Sequence, residues 1–430
     1  MAAHRVALSV AAGTVVGLLT IGSVPPAATA HPRVGIYGDI LYSRFDYGPD
    51  QRSGETGAPD DSRAALDVPY FVVEVEHEFR DGLELEVEVE FEHGGTGTAL
   101  ELEYEEFGEY EVEVEKGGEV VIEQIHLTKS WGRAWNLRAG RFITAVGLLN
   151  RSHEPTDYLT TIRTEAEASL LPTTWNETGI EFFGRAGRVS YRAQVVNGLD
   201  STGFDSKYFI VGGAQTRFED VRATDLALVG RIDVAPTIGV SIGGSSYWGN
   251  TTGNRPKPDM EGIDAHLTLF DVHAQVSRGP YHVRALYLRG DLENADLVSA
   301  KNGRLSSNLQ VARTPVAESA FAWYVEAGYD IASLVGGNGD WRFLPFVQLS
   351  GYDSMAEVPV GTFDVPRFDR SLLTLGAAYF PHENVVLKAD WSHRTFGDDR
   401  INDEDTIRFD LGFRAELFRE DSDPARHSTR

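Results

Sequence analysis

The stretch GLELEVEVEFEH, Gly82 to His93, sets Glu84, Glu86, Glu88, Glu90 and Glu92 in strict alternation with Leu83, Leu85, Val87, Val89 and Phe91. Carboxylates two residues apart form a ladder, and a charged ladder attracts counter-ions and holds water. Glu74, Glu76 and Glu78 extend it upstream. Further along the chain the charges opposite the apolar positions become basic: Arg138, Arg192, Arg231, Arg284, Arg342, Lys388, Arg408 and Arg414. Side-chain charge arrayed in this way is how pores sort ions. The pattern predicts an acidic wall early in the chain, a mainly basic wall over the remainder, and a transverse field between them. The alternating Glu residues lack a loop of defined ligand spacing, so no metal or other cofactor is expected from them.

Period-2 alternation excludes a helix and specifies a strand with one apolar and one anionic face. A half-wet strand of a soluble sandwich and a lipid-facing barrel strand both satisfy that pattern. The rest of the chain separates them. About sixteen segments alternate in this way: Val34–Phe45, Val68–Phe79, Leu83–His93, Val121–Trp131, Trp135–Phe142, Thr178–Gly184, Val189–Val196, Asp225–Val234, Ile238–Trp248, Ile263–Val276, Tyr281–Arg289, Phe321–Ile331, Trp341–Gly351, Leu372–Tyr379, Val385–Trp391 and Thr406–Phe418. Leu267, Leu269 and Phe270 break the rhythm, which predicts a bulge. Connections alternate between short ones, such as Arg80–Gly82 and Gly132–Ala134, and long ones, such as Ile143–Glu177 and Asn197–Thr224. A soluble sandwich has no reason to sort its loops; an up-and-down transmembrane antiparallel β-barrel has short turns at one rim and long loops at the other. Phe79, Trp131, Trp135, Tyr281, Trp341, Phe380 and Trp391 fall near strand ends, as an aromatic girdle requires. The segment Thr98–Lys116 alternates too. As a hairpin in the second long loop it leaves about sixteen wall strands; inside the wall it would make about eighteen.

Composition agrees. The 430 residues hold 39 Lys and Arg against 65 Asp and Glu, a net charge of −26, which repels phosphate backbones and argues against a nucleic-acid partner. There is no Cys, hence no disulfide framework and no thiol chemistry. Residues 1–30 read as a secretory signal peptide: Val6 to Val24 is apolar, and Ala28-Thr29-Ala30 supplies the small-residue cleavage site. The barrel is expected over 31–418 and a polar tail over 419–430. No G-x-S-x-G, H-E-x-x-H or P-loop pattern occurs, so the expectation is a barrel and not an enzyme.

A barrel of this width leaves an aqueous lumen. Arg138, Arg192, Arg231, Arg284, Glu86, Glu88 and Glu90 are expected to line it. Ile143–Glu177 is the longest connection and carries its own apolar residues, among them Leu148, Leu149, Tyr158, Leu170, Leu171 and Trp175. Thr164-Glu165-Ala166-Glu167 reads as a capping box opening a short helix that Pro172 ends. Such a loop, folded inward, would present Arg151, His153, Glu154, Asp157, Arg163, Glu165 and Glu167 at the narrowest point.

GRFITAVGLLNRSHEPTDYL followed by LLPTTWNETGIEFFG resembles the phosphate-selective porin O and P family and related Gram-negative outer-membrane porins. The likeness includes Gly140, Gly147, Asn150, His153, Glu154, Pro155, Pro172, Trp175, Glu177 and Gly179, and is densest from Phe71 to Phe183. It implies a sixteen-stranded barrel, commonly a homotrimer, with the loop after the fifth strand folded into the lumen. The phosphate-binding members have a lysine-rich constriction. Here the loop has no Lys, and only Arg151 and Arg163 face Glu154, Asp157, Glu165, Glu167 and Glu177. The expected function is passive diffusion of small hydrophilic solutes or ions through an outer-membrane channel, in contact with lipid. The alternatives are an anion-selective (phosphate-like) porin and a non-conducting structural or adhesive barrel.

Overall fold

The computed structural model describes residues 32–49, 60–94, 101–103, 111–113, 118–215, 220–305, 313–335 and 341–418. The expected signal peptide and polar tail lie outside these residues. The wall strands are β1 (Arg33–Pro49), β2 (Asp60–Asp67 and Tyr70–Glu78), β3 (Leu83–Glu92), β4 (Val120–Ser130), β5 (Asn136–Ile143), β6 (Asn176–Ala186), β7 (Val189–Asn197), β8 (Leu226–Thr237), β9 (Val240–Asn250), β10 (His266–Arg278), β11 (Tyr281–Leu292), β12 (Ser319–Tyr329), β13 (Arg342–Glu357), β14 (Asp369–His382), β15 (Val385–Phe396) and β16 (Glu404–Phe418). Each pairs antiparallel with the next. β16 returns to β1, with Phe418 opposite Val34 and Asp405 opposite Asp46, and the sheet closes as a sixteen-stranded barrel. Glu101–Glu103 and Glu111–Glu113 pair only with each other, as a hairpin apart from the wall. Eighteen strands are thereby excluded.

Short turns and long loops segregate to opposite rims. The tightest turns need positive φ: Asp81 and Gly82 both adopt it between β2 and β3, and the Phe79 N–H donates to the Leu83 carbonyl at 2.6 Å. β2 is one strand interrupted. Val68, Pro69 and Tyr70 lie opposite Asp39 and Ile40, because Pro69 has no N–H to give the ladder.

The outer face is apolar all round. Ile40, Ile125, Ile180, Leu228, Ile232, Val272, Leu349 and Phe409 stand exposed on successive parts of the wall. An apolar band this continuous has the pattern of the outer face of a membrane barrel. Phe79, Trp131, Trp135 and Tyr281 project outward at the short-turn rim. Phe380 departs from the expected girdle. It is buried inside the barrel with the Arg342 guanidinium 4.2 Å from its ring centre.

The expected bulge at Leu267–Phe270 is absent. β10 runs in unbroken register with both neighbours. Leu267 and Leu269 face inward, where loops pack on them, and Phe270 faces outward. Two apolar faces, not a kink, erased the alternation. A bulge does occur in β4: Glu88 pairs with Gln124 and Val89 with Ile122, so Glu123 is the extra residue. Both Glu123 and Gln124 are buried on the inner side.

Ile232→Arg, near the middle of β8 on the outer face, should destabilise the folded barrel in lipid by about 2–4 kcal/mol, whereas Ile232→Leu should be nearly neutral. Urea unfolding in lipid vesicles measures the difference.

Candidate functional site

The segment 144–175 lies inside the barrel. At its base the Thr144 N–H donates to the Trp175 carbonyl at 2.8 Å. Asn150 clamps the two ends together. Its Nδ2 donates to the Thr144 carbonyl at 2.7 Å, and its Oδ1 accepts the Trp175 N–H at 2.6 Å. Trp175 is fully buried against Tyr247 and donates its indole N–H to Glu177 at 3.0 Å.

From that base the loop reaches most of the inner circumference. On the β7–β10 side, the Ala145 N–H donates to Gln194 at 2.9 Å, the Gly147 N–H donates to Asp271 at 2.9 Å, and Arg231 donates to the Gly147 carbonyl at 2.5 Å. Glu167 joins two parts of the loop by accepting the Leu148 and Leu149 N–H groups at 2.7 and 2.8 Å. Gly147 makes room for that carboxylate. It has positive φ, and a Cβ there would collide with Glu167 and Leu171. Tyr324 of β12 donates to Glu167 at 3.2 Å. On the far wall Glu165 accepts from Arg394 of β15 at 2.5 Å and from Tyr352 of β13 at 2.6 Å. The Thr161 N–H and hydroxyl both donate to Asp390, at 2.7 and 2.8 Å. Arg414 of β16 donates to Glu154 at 3.3 Å, and Arg284 of β11 donates to the Asp157 carbonyl. On the β1–β2 side the Tyr158 and Tyr70 hydroxyls meet at 2.9 Å, Arg163 lies over the Tyr70 ring at 4.6 Å, and the Tyr37 hydroxyl is 3.0 Å from His153 Nε2.

The short helix forms at Glu165–Ala168, but the capping box does not. Thr164 accepts instead from Gln348 of β13 at 3.1 Å, and Glu167 turns to the Leu148 and Leu149 N–H groups. Wall and loop donors outcompete the local cap. Burial pushes the Glu167 carboxyl up to about 7, against the hydrogen bonds it accepts. Burial also pushes Glu165 up, but Arg394 and Arg370 outweigh it and hold that carboxyl down at about 2.

Arg138, Arg192, Arg231, Arg284, Glu86, Glu88 and Glu90 lie on the inner face, opposite the exposed Leu137, Ile232 and their equivalents. The expected basic wall is a mixed one. Arg192 and Arg138 flank the buried Glu181 at 2.6 and 3.6 Å, Arg231 pairs with Asp233 at 2.8 Å, and Lys388 with Asp410 at 3.4 Å. The signal for these acids was present. Asp233 follows Arg231 by two residues and Asp390 follows Lys388 by two, so they share a face. Counting the basic residues alone missed them.

The lumen is also drier than charged strands imply. Toward the long-loop rim, Ala227, Val229, Tyr247, Leu267, Leu269, Leu286 and Leu288 of the inner wall join Leu170, Leu171 and Trp175 of the loop in one apolar core. Leu199, Phe204, Phe209 and Ile210, from the connection between β7 and β8, belong to the same core. Cavities large enough for many waters remain on both sides of the 144–175 loop. On the long-loop side, 280 Å³ is lined by Glu90, Glu92, Glu119, Glu123 and Thr174. On the short-turn side, cavities of 420, 630 and 470 Å³ are edged respectively by Arg151, Asp157 and Glu154 of the loop. The 420 Å³ cavity gathers Arg133, Arg151, Arg185, Arg192 and Arg231, with Asp233 and His273.

No family model matches the chain. A protein of Aquifex aeolicus (strain VF5), described only as uncharacterized, is 26% identical over 292 residues; the match covers 67% of this chain and spans 65% of that protein's length. Solved barrels are similar in fold at low identity. A loop-deletion form of the Vibrio cholerae outer-membrane protein OmpT matches with TM-score 0.51 and 11% identity, over 89% of this chain and 99% of its own. The anion-selective porin of Comamonas acidovorans matches with TM-score 0.51 and 11% identity, over 90% and 100%. The outer-membrane channel DcaP of Acinetobacter baumannii matches with TM-score 0.50 and 11% identity, over 89% and 97%. The fold is thus that of outer-membrane porins, a coarser likeness than the phosphate-selective family suggested by the loop motif.

Glu167→Ala removes the acceptor of two buried N–H groups, each worth about 1–3 kcal/mol when stranded. The variant should remain a folded barrel, while limited proteolysis should cut within 144–175 and leave the same segment of the parent chain intact. The Glu165 tie gives a second expectation. A carboxylate held low in the folded state stabilises above its unfolded value near 4.5 and loses that contribution as pH falls through about 2. Pepsin should therefore spare the loop at pH 4 and cleave it near pH 2.

Proposed function

We propose that the protein is an outer-membrane pore of a Gram-negative bacterium, exported by a signal peptide removed after Ala30, through which small hydrophilic solutes or ions diffuse passively. One observation carries this reading: a closed barrel, apolar outside, keeps cavities lined by charged side chains on both faces of the loop that crosses its lumen. In this reading the loop sets the constriction. Arg151, Glu154 and Asp157 border its short-turn side. His153, Arg163, Glu165 and Glu167 hold it to the wall or to itself. A homotrimer, the common assembly among the porins that the loop motif resembles, is part of the same proposal.

A second reading is that the pore prefers anions. It is favoured by the five arginines around the 420 Å³ cavity, where Asp233 is the acid facing them. The acidic cavity on the other side of the loop pulls the opposite way. The barrel reconstituted in a planar bilayer should give open-channel steps; a barrel without steps is the inert structural one, and the proposal fails. Under a potassium chloride gradient the reversal potential gives the sign of selectivity. Arg151→Glu should shift it toward cation preference, and an unchanged potential would place the arginine cavity off the conducting path.

A further inference from the structure

Three elements bring acids and a histidine together where the loop meets β3 and β4. Glu88 comes from β3, Glu123 from the bulge of β4, and His153 from the loop. One side-chain ligand atom from each lies within 4.8 Å of the other two. Glu88 is 4% and Glu123 2% exposed, so both are removed from bulk water. The bulge matters. In regular register Glu123 would alternate outward, and the extra residue turns it inward beside Gln124.

With a neutral imidazole the hydrogen bonds at this point do not close. His153 Nδ1 is 3.2 Å from the Asn150 carbonyl oxygen, which can only accept. A proton on Nδ1 satisfies that pair and leaves the Nε2 lone pair facing the Tyr37 hydroxyl at 3.0 Å. Tyr37 has one proton, and Glu88 Oε1 claims it at 2.6 Å. Two acceptors therefore compete for one donor. The other tautomer opposes two lone pairs at Asn150. Gln124 donates to the second Glu88 oxygen and Thr174 to one Glu123 oxygen, while the remaining Glu123 oxygen is buried without a hydrogen-bond partner. The Glu90 carboxyl lies beside that of Glu123, and two carboxylates in contact need a proton or a cation between them. Arg163 is near Glu90 and Glu123, yet it is one charge against Glu88, Glu90 and Glu123.

We infer that Glu88, Glu123 and His153 bind one divalent metal ion of the zinc class. One imidazole and two carboxylates suit a borderline cation better than calcium, which prefers an all-oxygen shell. The Nδ1–Asn150 contact orients the ring as ligating histidines are oriented, with the other ring nitrogen donating to a carbonyl. The ion relieves both the Nε2 lone pair and the orphaned Glu123 oxygen. It also joins the loop to β3 and β4 at the point where Glu167 and Glu165 do not reach.

The test is binding, measured without any current and so separable from the pore reading. Full-length barrel in detergent, stripped with chelator, is titrated with zinc chloride by calorimetry at pH 7.5, and bound metal is counted by elemental analysis after dialysis. One zinc per chain is expected. His153→Ala and Glu123→Gln should each weaken binding by about a hundredfold or more, with Glu84→Gln on the same strand as Glu88 unchanged. Heat-modifiable migration on gels verifies that each variant is folded, and Glu123→Gln preserves shape should His153→Ala fail that check. Calcium at the same concentration should not displace the zinc. A flat isotherm leaves a proton on His153 as the occupant and overturns the site. So does zinc binding that survives both ligand substitutions.

Discussion

An open β-sheet leaves backbone N–H and C=O groups unpaired along its edges, and closure of the sheet on itself is the constraint that governs the molecule. A sheet crossing a bilayer must pair every strand, so the last strand has to return to the first. Here β16 meets β1 over nearly the whole length of both. The ladder is interrupted at Pro69, between two pieces of β2, and at the extra residue Glu123, on a strand whose inner side is covered by the loop. Closure with sixteen strands then fixes a second condition. The enclosed space is wider than wall side chains can fill.

The 144–175 loop is the response to that width. It is held by ties whose partners are far apart in sequence: Thr161 to Asp390, Glu165 to Arg394, Glu154 to Arg414. Two of these are charged pairs under partial cover, where losing one partner strands the other. The apolar core and the acidic group of Glu90 and Glu123 both border it toward the long-loop rim. Polar space and dry core thus divide the lumen.

Much of the wall was legible because its code is local. Parity along each strand put Arg138, Arg192, Arg231, Arg284, Glu86, Glu88 and Glu90 on the inner face, and the sorted loop lengths gave the topology. Reading failed where the inside is apolar. At Leu267 and Leu269 both faces want hydrophobic residues, so parity vanished and a regular strand resembled a bulged one. It failed again at Thr164, where a cap motif lost to Gln348 across the lumen. The acids Glu181, Asp233 and Asp410 were readable in parity, but their pairing with basic neighbours took the register to see.

The sequence by itself determined a closed antiparallel wall, greasy outside, with a long loop after the fifth strand. Period, turn chemistry and loop length act over a few residues, and a few residues suffice to state them. Which wall atoms the loop would meet was decided only by tertiary structure. Strand register and the β4 bulge bring Tyr37, Glu88, Glu123 and His153 to one point, and no spacing in the chain records that they will converge.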